Sequence, residues 1–390
     1  MKQIFKNKNL QIFSIILSGL VLSGFILNHT LAGARYAQED NQMTTIESSS
    51  QFKDGKFHNK ETWNEGEAFS TMWDFFFSKN QRTPEDSLPR QQVDLSFFKQ
   101  TSDNHLNSTW LGHSSLMINI DGYKILTDPI FEKRVSVFGP SRFNGELPVD
   151  VDNIDSVDVV VISHNHYDHL NKSSIQSLTA KTGLFIVPLA VGAQLIKWDV
   201  PADKIIEMDW WQEYRVTENL MIAATPSQHF SGRGLTDRNE TLWASFVIQG
   251  PNHKIYFSGD GGYFEGFKLI GETYGPFDMT FMECGAYNKA WEPIHMLPEQ
   301  TVQAHIDLRG NVLHPIHWGT FNLSLHSWFE PMERFTRAAD SLGVVSTTPI
   351  VGGTTVFDTD LASTKWWESV PKMEIKDEEA DSEMELQPAQ

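Results

Sequence analysis

The chain has 390 residues, a formal net charge of −19 at pH 7 and one cysteine, Cys284. This length is enough for one or two domains with a large hydrophobic core. The negative charge and the lack of a basic stripe argue against nucleic acid as a partner. A single cysteine excludes a framework of intrachain disulfide bonds.

The first 34 residues have the order of an export signal. Three lysines within the first eight residues precede an uncharged stretch of 18 residues, Leu10–Leu27, and Ala32 and Ala34 follow as the small residues of a cleavage site. The stretch is also long enough to remain in the membrane as an anchor. We therefore predict that residues 1–34 are a signal peptide or membrane anchor. The protein is then exported, periplasmic or membrane-anchored rather than cytoplasmic.

Residues 35–100 are predicted to form a linker and an N-terminal arm that lies over the main domain. The segment begins with the polar, Ser/Thr-rich residues 35–60, whose composition is typical of a linker. Residues 61–90 have a partly helical pattern, with the aromatic block "MWDFFF" inside it.

Short β-rich runs separated by turn residues dominate the chain from about residue 106. Helical patterns occur between some of these runs, at residues 171–180, 262–273, 298–309 and 330–342. This mixture predicts an α/β fold in which two β-sheets are enclosed by helices, an αββα sandwich. We place this domain at residues 101–365. Residues 366–390 are predicted to be an acidic, disordered tail, because residues 373–390 contain seven acids and one lysine.

Histidines are crowded together directly after one of the β-rich runs. In "VVVISHNHYDHL" (159–170), His164, His166, Asp168 and His169 fall within six positions. Neutral imidazoles and carboxylates are the ligands that zinc and similar ions take. Side chains two apart on an extended segment point the same way. His164 and His166 can therefore bind one ion, while Asp168 and His169 face a second one.

Two complete sites need further ligands, and three later β-rich runs end in suitable residues. These are His229 in "TPSQHF", Asp260 in "FSGDGG" and His317 in "HPIHWG". Loops that follow strands can converge on one cleft. The sequence therefore predicts a dinuclear metal centre built from seven side chains in four separated segments.

The arrangement resembles the metallo-β-lactamase superfamily, and within it the family of N-acylphosphatidylethanolamine-hydrolysing phospholipases D. The resemblance covers about residues 105–345. It rests on an ordered set of motifs, among them "WLGHSSLMI" (110–118), "ISHNHYDHL" (162–170), "FSGDGGYFEGF" (257–267) and "IHWGTFNL" (316–323). One departure is Gly261, where the family usually has threonine after the Gly-Asp pair. We expect a looser backbone at this point.

The resemblance implies the metallo-β-lactamase fold, with two mixed β-sheets, and a division of the ligands between two metal ions. Two zinc ions are expected, with iron or manganese as alternatives. The implied ligands of the first ion are His164, His166 and His229. Those of the second ion are Asp168, His169 and His317, and Asp260 bridges the two ions.

The implied activity is hydrolysis of a phosphodiester, of the phospholipase D type, in N-acylphosphatidylethanolamine-like phospholipids. Two divalent ions leave the site positive despite its aspartates, which favours an anionic substrate. We assign Asp260 and His295 to catalysis. The resemblance places a histidine at the position of His295 beside the metals, for proton transfer or substrate orientation. His113 is expected to be structural or to support a ligand, and Asp128 is a candidate partner for a ligand imidazole.

Twelve tryptophans and 26 phenylalanines fit a lipid substrate. Trp291, Trp318 and Phe321 are candidates for binding it in an apolar groove or at a membrane surface, with core packing as the alternative for each. Two other functions stay open. One is a lactonase or another metal-dependent ester or amide hydrolase, since such a centre can also polarise a carbonyl group. The other is a non-catalytic metal-binding envelope protein.

Overall fold

Two large β-sheets form the framework of the domain. The computed structural model describes residues 45–62, 80–102, 104–137 and 139–372. Within these residues the strands are β1 (Phe52–Lys53), β2 (Lys56–Phe57), β3 (Leu106–Trp110), β4 (Leu116–Ile120), β5 (Tyr123–Thr127), β6 (Val157–Val161), β7 (Thr182–Pro188), β8 (Ile205–Met208), β9 (Glu213–Thr217), β10 (Leu220–Thr225), β11 (Ser245–Gln249), β12 (Lys254–Phe257), β13 (Phe277–Glu283), β14 (Gly310–Ile316) and β15 (Thr354–Val356).

Both large sheets are mixed. The first has the spatial order β15-β3-β4-β5-β6-β7-β8, with antiparallel pairs up to β5 and parallel pairs from β5 to β8. The second has the order β14-β13-β12-β11-β10-β9, in which β14, β13 and β12 are parallel and the other pairs are antiparallel. Strands β1 and β2 form a separate short hairpin.

The central strands are buried on both faces. In β6, Val159 and Val161 belong to the core between the sheets, together with Phe246 of the second sheet. Val160, which lies between them in the sequence, packs with Ile175 in a cluster on the other face. Because successive side chains of a strand point to opposite faces, a run as apolar as "VVVI" is what a doubly covered strand needs.

Helices cover the outer faces of the sheets. They are α1 (Leu95–Phe98), α2 (Lys172–Leu178), α3 (Gly192–Ile196), α4 (Gly266–Thr273), α5 (Pro298–Asp307) and α6 (Glu330–Leu342). The Asn171 side chain caps α2 by accepting the Ser174 N–H at 3.0 Å. Gly343 ends α6 in the left-handed region, with φ of 67°. The predicted αββα sandwich of two mixed sheets is confirmed.

Some elements have no clear pattern in the sequence. Strand β9 alternates exposed and half-buried residues at the edge of its sheet, so it lacks the apolar run by which strands are found. Helices α1 and α3 have four and five residues, too few to show a helical period. Of the partly helical pattern predicted for 61–90, residues 63–79 lie outside the described residues, and residues 80–90 contain no helix.

The packed domain extends beyond its predicted carboxyl-terminal boundary. Trp366 and Trp367 are 8% and 0% exposed and belong to the largest hydrophobic cluster of the domain, which also contains Val159, Val161 and Phe246. The ring of Trp366 stacks on Trp318 with 5.2 Å between centroids. The predicted boundary at residue 365 is therefore too early, because these two indoles cover core side chains. Residues 373–390 of the predicted tail lie outside the described residues.

The predicted export signal or anchor, residues 1–34, also lies outside the described residues. Among the residues that the structure describes, no helix has both the length and the apolar character needed to cross a membrane.

Removal of residues 366–390 is expected to destabilise the domain, whereas removal of residues 373–390 alone is not. The longer deletion takes away Trp366 and Trp367, and loss of one buried tryptophan side chain costs about 3–5 kcal/mol. The shorter deletion removes none of the described contacts. Thermal and urea denaturation of both truncated proteins and the full chain measure the difference. Equal stability of the two truncated proteins would show that the indoles do not stabilise the core.

Candidate metal centre

Four loops bring the seven predicted ligands to one edge of the sandwich. The loops follow the carboxyl ends of β6, β10, β12 and β14. Five of the ligands are buried, whereas His166 and Asp168 keep intermediate exposure. These two residues therefore mark the side on which the centre opens to solvent.

Three imidazoles form the first cluster. Nδ1 of His166 lies 2.8 Å from Nε2 of His164 and 3.3 Å from Nε2 of His229. The other ring nitrogens of the two buried histidines are occupied: Nδ1 of His164 lies 2.9 Å from the Ser163 hydroxyl, and Nδ1 of His229 lies 3.0 Å from the Ile294 carbonyl oxygen. These contacts orient both rings toward the cluster, as supporting hydrogen bonds do for metal ligands.

Asp168, His169 and His317 form the second cluster. Oδ2 of Asp168 lies 3.5 Å from Nε2 of His169 and 3.6 Å from Nε2 of His317. The same oxygen is 3.0 Å from Nε2 of His113. His113 thus contacts a predicted ligand directly and supports it, which is one of the two roles expected for it.

Asp260 lies between the two clusters. Its Oδ2 is 3.0 Å from Nε2 of both His169 and His317. It is 3.8 Å from Nε2 of His229 and 4.0 Å from Nε2 of His164. One carboxylate oxygen therefore approaches ring nitrogens of both clusters, the position that a bridging ligand occupies.

Several polar atoms of the centre fit a bound cation. Among the described residues, Asp260 Oδ1 is buried and makes no hydrogen bond, and Nε2 of His169 and of His317 has no well-aligned hydrogen bond despite its distance of 3.0 Å to Asp260 Oδ2. Buried polar atoms in proteins are nearly always satisfied, so atoms such as these call for another partner. Imidazole nitrogens with carboxylate oxygens are the donor set of zinc and related ions. The residues present therefore fit metal binding.

The protonation equilibria point in the same direction. Burial lowers the pKa of His164 and His229 well below the ordinary value and that of His166 to about 4. A neutral imidazole keeps the lone pair that a metal needs. Burial also acts to lower the pKa of His169 and His317, but Asp260 and Asp168 outweigh it. They raise the pKa of His317 to about 10 and that of His169 well above its usual value. The carboxylates thus favour positive charge here, which a metal ion would supply.

Asp128 fixes the orientation of His169. The buried Asp128 carboxylate lies 2.7 Å from His169 Nδ1, and it accepts hydrogen bonds from the Ser163 N–H at 2.7 Å and the Ser163 hydroxyl at 2.6 Å. With Nδ1 held, Nε2 of His169 points to Asp260 and Asp168. The structure therefore places Asp128 where a partner of a ligand imidazole was predicted.

The N-terminal arm contributes a support that the sequence does not indicate. The Asn59 side chain donates to the His229 carbonyl oxygen at 2.7 Å and accepts the His229 N–H at 3.1 Å. Its Oδ1 also accepts the Trp243 indole N–H at 3.0 Å. An asparagine in a polar stretch has no feature that identifies such a role. The arm therefore takes part in the loop that presents His229.

Glu283 is a second support outside the predicted set. Its buried carboxylate contacts His295 Nδ1 and accepts the Gly261 N–H at 2.6 Å. A side chain at Gly261 would meet the Ser227 hydroxyl at 2.4 Å, so a larger residue such as threonine would require the Ser227 side chain to move. Glu283 thus binds the backbone of Gly261, and the Ser227 hydroxyl donates to the adjacent Asp260 carbonyl oxygen at 2.5 Å. An acid at the end of the apolar run "FDMTFMEC" is the signal that could have found Glu283.

The three predicted substrate residues differ in their surroundings. Trp291 is half buried, and its indole donates to the Ala286 carbonyl oxygen at 2.7 Å. Trp318 and Phe321 border a cavity beside His317, yet they are only 4% and 8% exposed. Trp318 stacks on Trp110 at 5.3 Å as well as on Trp366. Most of the Trp318 ring therefore packs against other aromatic rings and is not available to bind a substrate.

Substitution Asp128→Asn is expected to weaken metal binding about 10–100-fold, the usual cost of losing a group that orients a ligand. The amide cannot both accept from Ser163 and keep the ionic contact with His169. Metal affinity is measured by competition with a chromophoric chelator. Asp278→Asn is the matched control, because that carboxylate accepts a backbone N–H of Lys254 at 2.8 Å at the far end of β12. Equal affinities of the two variants would contradict this role of Asp128.

Comparison with known proteins agrees with the geometry. The family model described as a beta-lactamase superfamily domain matches residues 123–318. An uncharacterized protein of Mycobacterium tuberculosis is 40% identical over 333 residues, which cover 82% of this chain and 88% of that protein. An N-acyl-phosphatidylethanolamine-hydrolyzing phospholipase D of Caenorhabditis elegans is 30% identical over 277 residues, which cover 67% of this chain and 77% of that protein.

Solved structures show the same fold. A metallo hydrolase from the hyperthermophilic archaeon Ignicoccus hospitalis aligns with a TM-score of 0.51 and 22% identity, over 65% of this chain and 99% of that one. At this identity the likeness concerns the fold alone. From the matched family model and the relatives, the chain belongs to the metallo-β-lactamase superfamily of metal-dependent hydrolases, close to the N-acylphosphatidylethanolamine-hydrolysing phospholipases D.

Proposed function

We propose that the protein is a dinuclear zinc phosphodiesterase of the phospholipase D type that acts on N-acylphosphatidylethanolamine-like phospholipids. The observation that carries the proposal is the position of Asp260, whose Oδ2 lies within 4.0 Å of ring nitrogens from both clusters. Two metal ions that share a carboxylate suit an in-line displacement at phosphorus. The similarity to the phospholipase D of Caenorhabditis elegans supports the choice of substrate.

The donor atoms divide into two sets with one shared member. When bound, the two ions would lower the pKa of a water molecule and stabilise negative charge on the phosphate oxygens. Zinc is the ion that this nitrogen-rich set suits best, and iron or manganese also accept such ligands. His164, His166 and His229 would hold the first ion. Asp168, His169 and His317 would hold the second ion, and Asp260 would bind both.

The charge of the loaded centre favours an anionic substrate. Two divalent cations outweigh the carboxylates of Asp168 and Asp260. Burial, together with the neighbouring Asp260, raises the pKa of Glu283 well above its ordinary value, which reduces the negative charge of Glu283. A phosphodiester, which carries one negative charge, therefore meets a site of opposite sign.

We assign His295 to assist the leaving group. A ring nitrogen of His295 lies within 4.8 Å of donor atoms of both His229 and Asp260. Since Glu283 contacts Nδ1, Nε2 is the nitrogen that remains for substrate. In the proposed reaction the bond between phosphorus and the ethanolamine oxygen breaks, and a bond from phosphorus to the water oxygen forms. The leaving alkoxide takes a proton from Nε2, and the proton lost by the water replaces it through solvent.

Apolar side chains near the opening suit the acyl chain of such a lipid. The Phe230 ring lies 4.5 Å from the His166 ring. Trp291 is half buried in the short helical segment Lys289–Ile294 that leads to His295. We assign acyl-chain contact to Trp291 and Phe230, and to Phe321 at the cavity beside His317.

We also propose that the protein works at a membrane after export. The support is the order of basic, apolar and small residues within the first 34 positions. A phospholipid substrate fits this location, because the lipid then does not have to leave its bilayer to meet a soluble enzyme.

The full chain supplied with zinc is expected to convert an N-acylphosphatidylethanolamine into phosphatidate and an N-acylethanolamine. Mass spectrometry of the lipid extract measures both products. Asp260→Asn should lower the rate by several orders of magnitude, because both ions depend on the bridging carboxylate. The control Asp278→Asn should keep the full rate. Turnover of lactones without any turnover of phosphodiesters would contradict the proposal and favour the lactonase alternative.

Substitution His295→Ala is expected to slow hydrolysis of the phospholipid about 10²–10⁴-fold, the usual contribution of a positioned proton donor. Hydrolysis of a 4-nitrophenyl phosphodiester should slow far less, because nitrophenolate leaves without a proton. Metal content should not change. The control is His253→Ala, at the turn before β12. An equal loss on both substrates, or loss of a metal ion, would show that His295 does not act as the proton donor.

A further inference from the structure

Three loops around the metal centre carry large apolar side chains that are exposed to solvent. Val137 is 84% exposed, Tyr167 is 43% exposed and Leu235 is fully exposed, at 102%. We call these three the rim residues. They follow the carboxyl ends of β5, β6 and β10 respectively. Strands β5 and β6 are parallel neighbours, and the loops after β6 and β10 share the first ligand cluster, so the loops that carry the rim residues begin at the ligand edge.

Contacts tie the loop of Leu235 to the ligand loop. Arg233 donates hydrogen bonds of 2.7 Å to the carbonyl oxygens of Asn165 and Leu170. Its guanidinium lies 3.9 Å from the centre of the Tyr167 ring. Both carbonyls flank the ligands His166, Asp168 and His169 in sequence. Leu235, two residues beyond Arg233, is therefore held next to the opening of the centre.

The loop of Val137 reaches the other side of the centre. Its base is fixed by the buried Arg142, which donates to the Leu111 carbonyl oxygen at 2.9 Å and lies 5.1 Å from the centre of the Phe321 ring. Phe321 in turn contacts the ring of His113 at 5.3 Å. His113 is hydrogen-bonded to Asp168, as described above. The loop of Val137 thus approaches the second ligand cluster, whereas the loop of Leu235 approaches the first.

The loop of Val137 presents positive charge, although the chain as a whole carries −19. Lys133 and Arg134 are exposed in the loop of Val137, with one acid, Glu132, beside them. In the loop of Leu235, the two basic residues Arg233 and Arg238 are balanced by Asp237 and Glu240. Lys133 and Arg134 beside the exposed Val137 match a phospholipid surface, where anionic head groups cover an apolar interior.

We propose that the rim residues, together with Lys133 and Arg134, dock the metal centre onto an anionic phospholipid bilayer. This inference rests on the proposed function, because docking in this orientation brings the opening at His166 and Asp168 to the layer that contains the substrate. Val137 and Leu235 enter the interface between head groups and acyl chains, and the basic side chains contact phosphates. The partner is a lipid surface rather than a protein.

The test uses the full chain with a fluorescent probe at single positions. The only cysteine, Cys284, is buried, so a cysteine introduced at the surface can be labelled selectively. A nitrobenzoxadiazole probe is attached to Val137→Cys, to Leu235→Cys and to the control Leu342→Cys. Leu342 is 54% exposed and lies at the end of α6. Each protein is mixed with phosphatidylcholine vesicles that contain or lack phosphatidylglycerol.

At positions 137 and 235 the emission is expected to shift to the blue and rise severalfold with phosphatidylglycerol vesicles, and to respond less at high salt. At position 342 it should stay unchanged. The comparison between positions remains informative even if the N-terminal segment alone brings the protein to vesicles. Unchanged emission at 137 and 235 on vesicle-bound protein, or an equal response at 342, would overturn the proposal.

Docking and hydrolysis can fail separately. A blue shift at 137 and 235 in a protein that cleaves no phosphodiester would support the rim and refute the proposed function. Cleavage of the phospholipid in detergent, with no change of emission on vesicles, would overturn the rim proposal and keep the function. The double variant with Val137→Asp and Leu235→Asp should keep its rate of hydrolysis of a soluble phosphodiester. It should lose most of its rate of hydrolysis of the phospholipid in vesicles.

Discussion

The carboxylate of Asp260 is buried among ring nitrogens of four histidines, and the rest of the centre depends on this contact. A buried charge is costly unless it is paired. Here His169 and His317 lower the pKa of the Asp260 carboxyl well below its ordinary value, against the effect of burial. The carboxylate is therefore ionised and favours positive charge on both of its sides. Loops from both sheets have to meet at this one oxygen. The packing of the two sheets therefore determines whether the metal centre can form.

Residues around the ligands hold that arrangement in place. Asp128 fixes His169, Asn59 holds the backbone of His229, and Glu283 joins His295 to the Gly261 N–H beside Asp260. These supports come from the loop after β5, from the N-terminal arm and from the end of β13. The ligands need such support because a ring that can rotate loses affinity for a metal. The region that supplies the chemistry is accordingly wider than the seven ligands.

Much of the centre could be predicted from the sequence because its signals are local. Four ligands fall within six positions, and the other three follow strong strand patterns. The supports could not be predicted in the same way, since Asn59 and His229 are 170 residues apart. Trp366 and Trp367 were assigned to the acidic tail by their neighbours in sequence, whereas their burial is decided by Trp318 and the core around it. Strand β9 was missed because an exposed edge strand needs no apolar run.

The most direct test of the central claim is the metal content of the full chain after reconstitution with zinc and removal of excess metal. Elemental analysis gives the number of ions for each protein molecule. A carboxylate that joins two clusters predicts two ions in the wild type and fewer than two in Asp260→Asn. One ion or none in the wild type, or the same number in both proteins, would contradict the account.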